Sequence, residues 1–180
     1  MIPADPTFEA TLCAAVRSAT ERPDVRQGVD AIYADLAAQV DQRRPKCIVS
    51  GRCCRFEEYG HRLYVTTAEL AAFLHGYETT PWPAALTQAV EAWDGRGCPF
   101  QVGKLCGVHA VRPFGCRIYF CDETSTAWQH EAYEAFHARL KRLHEDLAVP
   151  YFYLEWRQAL ATVIPVVGTA TVLTRKAGGC

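Results

Sequence analysis

Neither sign of charge dominates this chain: 19 basic residues face 20 acidic ones, for a net of −1. Without a basic excess there is no electrostatic footprint for generic nucleic-acid binding or for a polybasic membrane anchor. Long apolar runs are missing as well. The longest uncharged stretch, residues 158–174, is interrupted by Pro165, Gly168 and four threonines, so it is too short and broken for a membrane span and reads as a buried C-terminal element. The first twenty residues carry Asp5 and Glu9 and no basic start leading into an apolar run. No secretory signal is expected, and the chain is read as cytoplasmic.

Several catalytic signatures are absent too. There is no G-x-G-x-x-G and no G-x-S-x-G, which leaves dinucleotide binding and a nucleophile elbow without support. Gly97-x5-Gly103-Lys104 is one residue too long for a phosphate loop, and no Ser or Thr follows the lysine. His130-Glu131 and His144-Glu145 lack the second histidine of a zinc protease helix. Internal repeats and low-complexity segments are also missing.

What is present is an ordinary globular composition, 49% apolar and 22% charged. At 180 residues the chain is expected to form one domain over 1–180, large enough to bury a core without covalent staples. Residues 6–21 and 24–42 read as helices. The second carries an apolar stripe of Val25, Val29, Ile32, Leu36 and Val40, and Pro23 stands at the break. Residues 47–59 read as loop and 61–65 as a short strand. Thr66-Thr67-Ala68-Glu69 has capping-box spacing ahead of Leu70, Phe73 and Leu74. A short helix is expected from Pro81 and Pro83 to Trp93. Residues 94–121 form a glycine-containing loop region with a hairpin turning at Gly103-Lys104.

The longest helix is expected over 126–147, capped by Thr124 or Ser125 and stopped by Pro150, with Trp128, Ala132, Phe136, Leu140, Leu143 and Leu147 on its apolar face. His130, His137 and His144 recur along one flank of it and read as solvated. Residues 151–163 read as a last helix, with Tyr151, Phe152, Tyr153 and Trp156 in the core, and 166–173 as a strand. The fold class is α-rich α+β. Helical flanks over 6–42 and 125–163 enclose a cysteine-bearing centre over 47–121.

Nine cysteines in 180 residues are too few for a disulfide scaffold and too clustered to be incidental. Cys47, Cys53, Cys54, Cys98, Cys106, Cys116 and Cys121 form two groups, C-x5-C-C and C-x7-C-x9-C-x4-C, both in loops whose backbone can turn thiolates onto one point. In a reducing compartment such clusters point to metal or redox chemistry. Charge segregates with them. Residues 43–56 and 95–121 hold all seven of these cysteines, nine basic residues and no acidic one. Guanidinium groups near several thiolates stabilise their anionic form.

Cys47…Cys53-Cys54-Arg55, Val65-Thr66-Thr67-Ala68-Glu69-Leu70, Cys98-Pro99-Phe100 and Cys106-x5-Arg112-Pro113-Phe114-Gly115-Cys116-Arg117-Ile118-Tyr119 occur in order. Over residues 47–121 the chain thereby resembles the bacterial CxxCxxCC cysteine-cluster proteins, described as zinc- or iron-chelating domains. The resemblance implies a bound metal or cluster, and some members of that family are similar to protein lysine N-methylases acting on flagellin. One departure stands out: the second cysteine of the C-x2-C-x2-C-C pattern is Ser50 here, and a hydroxyl is a poor substitute for a thiolate.

The expected metal ligands are therefore Cys47, Cys53, Cys54, Cys98, Cys106, Cys116 and Cys121. Preference falls on Cys47, one of Cys53 and Cys54, Cys98, Cys106 and Cys116. Neighbouring side chains in an extended segment point opposite ways, so Cys53 and Cys54 are not expected to share one metal. Arg55, His109, Arg112, Arg117 and Tyr119 are expected around the ligands. His61 and His109 are candidate donors, and Tyr119 and Phe100 are expected to exclude water. The cofactor is an iron–sulfur cluster or zinc. The surplus of thiols and the Cys98-Pro99 step lean toward the cluster. The expected function is a metal-binding protein with a structural, redox or metal-handling role. A cluster-dependent enzyme and a metal-free thiol redox protein are the alternatives, and no protein partner is indicated.

Overall fold

The computed structural model describes residues 6–167, with side chains described to residue 163 in its last helix. The chain opens with α1 (Pro6–Thr20) and α2 (Pro23–Arg43). Pro23 takes the first turn of α2, where its missing N–H costs nothing, and Arg44 ends the helix in the left-handed region with its N–H on the Val40 carbonyl. The predicted stripe is the buried one: Val25, Val29, Ile32 and Leu36 all face inward.

After a 3-10 turn (Arg52–Cys54) and the single-turn α3 (Phe56–Tyr59), β1 (Tyr64–Thr66) runs directly into α4 (Thr67–Thr79). The capping box forms as spelled. Glu69 N–H donates to the Thr66 hydroxyl at 3.3 Å and Thr66 N–H donates to the Glu69 carboxylate at 2.9 Å. Such a cap stabilises the helix by about 1 kcal/mol.

α4 is buried on two sides, and this organises the molecule. Leu70, Phe73, Leu74 and Tyr77 meet α1, Phe56, Phe100 and Trp156 in one core. Ala68 and Ala71 open the other face, where small side chains let α2 and the long C-terminal helix approach a second core of Val29, Leu36, Phe114, Phe136 and Leu140.

α5 (Ala84–Glu91) follows, then the hairpin β2 (Gln101–Val102) and β3 (Leu105–Cys106), turning at Gly103-Lys104 as expected. Next come α6 (Phe114–Ile118), a 3-10 turn (Glu123–Ser125), α7 (Thr126–Asp146), β4 (Tyr153–Glu155) and α8 (Trp156–Val167). The α-rich α+β class holds. Its sheets are two antiparallel pairs, β1 with β4 and β2 with β3.

The structure corrects several expectations. The 47–59 segment is not all loop, since it holds the 3-10 turn and α3. The expected last helix over 151–163 begins at Trp156. The residues before it form β4, because pairing with β1 satisfies the backbone of both strands. No side-chain hydrogen bond from Ser125 caps α7. Asp122 instead accepts from Thr124 N–H and caps the 3-10 turn ahead of it. Of the expected strand at 166–173, the first two residues end α8 and the rest lie outside the described residues.

Candidate metal centre

Close backbone approaches draw the thiols together. Gly51 adopts φ 73° and starts the 3-10 turn, in which Cys54 N–H returns to the Gly51 carbonyl at 3.1 Å. The turn overturns the extended reading of this segment: Cys53 and Cys54 stand on the same side, with their Sγ atoms 4.0 Å apart. Gly97, at φ 59°, lets the next segment lie against them. A Cβ on Gly97 would come within 2.7 Å of the Cys54 carbonyl, the same carbonyl that accepts from Cys98 N–H at 2.7 Å. The β2–β3 hairpin brings in Cys106, and α6 brings in Cys116 two residues after its start. Phe100 is fully buried in the core against which Cys98, Cys106 and Cys116 pack.

Cys54 is the hub of the resulting group. It is 5% exposed, whereas Cys53, Cys98, Cys106 and Cys116 are half-buried. Hydrogen bonding with Cys106, Cys53 and Cys98, together with burial, holds the Cys54 thiol far above its usual range. Hydrogen bonding with Cys54 lowers Cys53 and Cys106. Burial and the charges of Cys98, Cys106 and Cys53 push Cys116 up. Thiols that bind a soft cation release their protons on doing so. Among the described residues, no three His, Cys, Asp or Glu side chains already stand in an arrangement that closes on a metal ion. All eight cysteines described are free thiols.

Arg112 is the arginine that serves this group. Its charge acts on Cys53, Cys106 and Cys116, and burial lowers its own pKa. Its Nε is buried with no hydrogen-bond partner. The other basic residues expected here are engaged elsewhere. Arg55 pairs with Glu58 at 2.9 Å and donates to the Ser50 carbonyl at 2.8 Å. Arg117 donates to the carbonyls of Arg112 and Ala110, both at 2.8 Å, and lies 4.2 Å from the centre of the Tyr33 ring. These two arginines satisfy loop carbonyls and one surface carboxylate.

Two expected ligands fall outside the group. Cys47 is exposed, although it was a preferred ligand. Cys121 is half-buried and its Sγ meets the Ser50 hydroxyl at 3.4 Å. The segments carrying them run side by side, with Lys46 N–H on the Asp122 carboxylate at 3.0 Å. The Ser50 hydroxyl thus stands beside Cys121 and accepts from Arg52 N–H at 3.3 Å.

A groove of about 610 Å³ opens onto the cysteine region and is lined by Cys53, Cys116, Cys121, His61 and Tyr119 among others. His61 stacks on Tyr119 with centroids 5.1 Å apart, and its Nε2 lies 3.3 Å from the Cys53 carbonyl while its buried Nδ1 has no partner. Tyr119 is 38% exposed, so it forms a wall of the groove and not the water-tight cover expected of it. His109 is exposed, and burial and the neighbouring Arg112 and Arg117 charges lower its pKa.

Two residues make tertiary hydrogen bonds that their sequence positions do not announce. His144 is not on a solvated flank: it is buried, with Nε2 accepting from Ala68 N–H at 3.3 Å and Nδ1 donating to the Val149 carbonyl at 3.1 Å. Glu69 was visible as a capping residue, but its bonds to a second element were not. His137 is half-buried, with Nε2 at 2.9 Å from the Tyr151 hydroxyl, while His130 is exposed as expected. Cys13 is a core residue whose thiol donates to the Thr162 carbonyl at 3.4 Å, and Cys180 lies outside the described residues.

No family profile, curated protein or solved structure matches the chain. Among the described residues no helix is long and apolar enough to cross a membrane.

Proposed function

We propose that this chain is a metal-binding protein whose ligands come from Cys53, Cys54, Cys98, Cys106 and Cys116. The observation that carries the reading is the convergence of three thiols on the buried Cys54 from segments over forty residues away in sequence and next door to it. A buried thiol packed only for bulk needs no such company. Loading would require the thiols to turn about their Cα–Cβ bonds and to give up their protons.

An iron–sulfur cluster is the preferred occupant, with zinc the alternative for the same donors. Five thiols exceed the four that either needs. One buried guanidinium nitrogen, Arg112 Nε, lies beside the cysteines without a partner. As a donor it favours an occupant that brings acceptor atoms of its own, as inorganic sulfide does. Such a cluster would supply one-electron transfer. Arg112 would offset the negative charge of the thiolates, Phe100 would keep water from the buried side, and the groove would give access from the side of Cys53 and Cys116.

The test is metal and acid-labile sulfide analysis, with an absorption spectrum, on protein purified without oxygen. Iron and sulfide in stoichiometric amounts, with a broad visible band that bleaches on reduction, are expected. One tightly held zinc in colourless protein would replace the cluster with the alternative. Protein that neither carries nor takes up stoichiometric metal would overturn the proposal.

A further inference from the structure

The capping box at the start of α4 accounts for one oxygen of Glu69. Its Oε2 accepts from Thr66 N–H at 2.9 Å and from the Thr66 hydroxyl at 3.0 Å, which is what a cap requires. The other oxygen is used for something else. Oε1 accepts from Phe114 N–H at 2.9 Å and from the Tyr33 hydroxyl at 3.2 Å. Phe114 is the first residue of α6, forty-five positions away from Glu69. The Tyr33 oxygen also stands 3.1 Å from the same N–H.

We infer that Glu69, assisted by Tyr33, is a positioning residue for the cysteine centre: it fixes the start of α6 to the helical scaffold and so sets where Cys116 and Arg112 stand. The inference rests on the metal-binding reading for its purpose. Pro113 offers no side-chain acceptor, so the first N–H of this five-residue helix is met by the Glu69 carboxylate and the Tyr33 hydroxyl oxygen. Cys116 follows Phe114 by two residues, and Arg112 precedes it by two. Arg117 closes the arrangement, stacking on Tyr33 while it donates to the Arg112 and Ala110 carbonyls.

The tie holds in both directions. Glu69 is 2% exposed. If α6 shifted, Oε1 would lose its backbone partner in the interior, and an unsatisfied buried charge is costly. The carboxylate thus ties the start of α6 to the start of α4.

Glu69→Gln tests this. The amide oxygen can still accept from Thr66, but its NH2 then faces the Phe114 N–H, donor against donor. The readout is the alkylation rate of each cysteine in the metal-free, folded protein, measured by mass spectrometry. Cys116 should react about 10-fold faster than in the wild type, the scale of losing one hydrogen bond to a charged group. Cys13, in the core between α1 and α8, should be unchanged. An unchanged Cys116 would overturn the inference. So would a parallel rise at Cys13, which would make Glu69 a general stabiliser of the fold. Tyr33→Phe removes only the assisting hydroxyl and decides the matter if Glu69→Gln does not fold. Cys116 alone should then speed up, by about threefold, a fraction of the effect of the carboxylate, and no change would overturn the inference. Because the assay uses metal-free protein, its failure is distinct from a failure of the wild type to hold metal.

Discussion

The inner and outer cysteines of this protein have similar sequence surroundings and different fates. Cys53, Cys54, Cys98, Cys106 and Cys116 gather around a buried hub, whereas Cys47 is exposed and Cys121 faces a serine hydroxyl. All seven lie in the same basic, glycine-containing segments. What separates them is backbone geometry. The inner residues sit where Gly51 and Gly97 permit close approach and where a hairpin and a short helix turn side chains inward. The lesson is that thiol spacing alone does not say which cysteines converge; backbone geometry does, and it sets Ser50 beside Cys121.

Substitutions can sharpen or break this contrast. The largest effect is expected at the hub. Cys54→Ser should lower metal affinity by more than about 100-fold, beyond the range for residues that only support ligands, while Cys47→Ser leaves the bound metal unchanged. Equal losses in the two variants, read by chelator competition, would erase the distinction. A second contrast sets Arg112 against Arg55. Arg112→Gln should weaken metal retention about 10-fold or more, because its charge acts on three inner thiols. Arg55→Gln, which breaks a surface pair with Glu58, should match the wild type.

The helical scaffold offers a third. His144→Ala removes the acceptor for Ala68 N–H and the donor to Val149, and should cost about 1–2 kcal/mol in a denaturant titration. His130→Ala, on the exposed flank, should stay within about 0.5 kcal/mol. His144 also carries a pH dependence. Burial lowers its pKa below 6.5, and a proton on Nε2 would face the Ala68 N–H. The unfolded chain takes up that proton first, so this contribution to stability is complete above about pH 6.5 and is lost as pH falls through the lower folded value. The loss should vanish in His144→Ala. The smallest effect belongs to Cys121→Ser, which exchanges one partner of Ser50 for another hydroxyl and should change metal content by nothing measurable.

Much of this architecture was legible in the residues. The α2 stripe, the α4 capping box and the turn at Gly103-Lys104 are local signals, and each formed where it was written. β4 was not legible, because its three residues become a strand only by pairing with β1, some ninety positions earlier. α6 spans only five residues, too few for a periodic pattern. His144 has the spacing of a solvated flank and is buried where the start of α4 and the connection after α7 meet it. At the site, the clustering of the cysteines in sequence was visible, and the pairing of Cys53 with Cys54 was not: a turn and not a strand holds them. The second use of Glu69 depends on where α6 lands, which no local pattern records.

The central claim is that the inner thiols, and not the outer ones, form the metal site. The most direct measurement is a cysteine-by-cysteine alkylation footprint of metal-loaded against chelator-stripped protein. Loading should protect Cys53, Cys98, Cys106 and Cys116 around an already shielded Cys54 and leave Cys47 equally reactive in both states. Protection of Cys47 with inner cysteines left reactive would contradict the account.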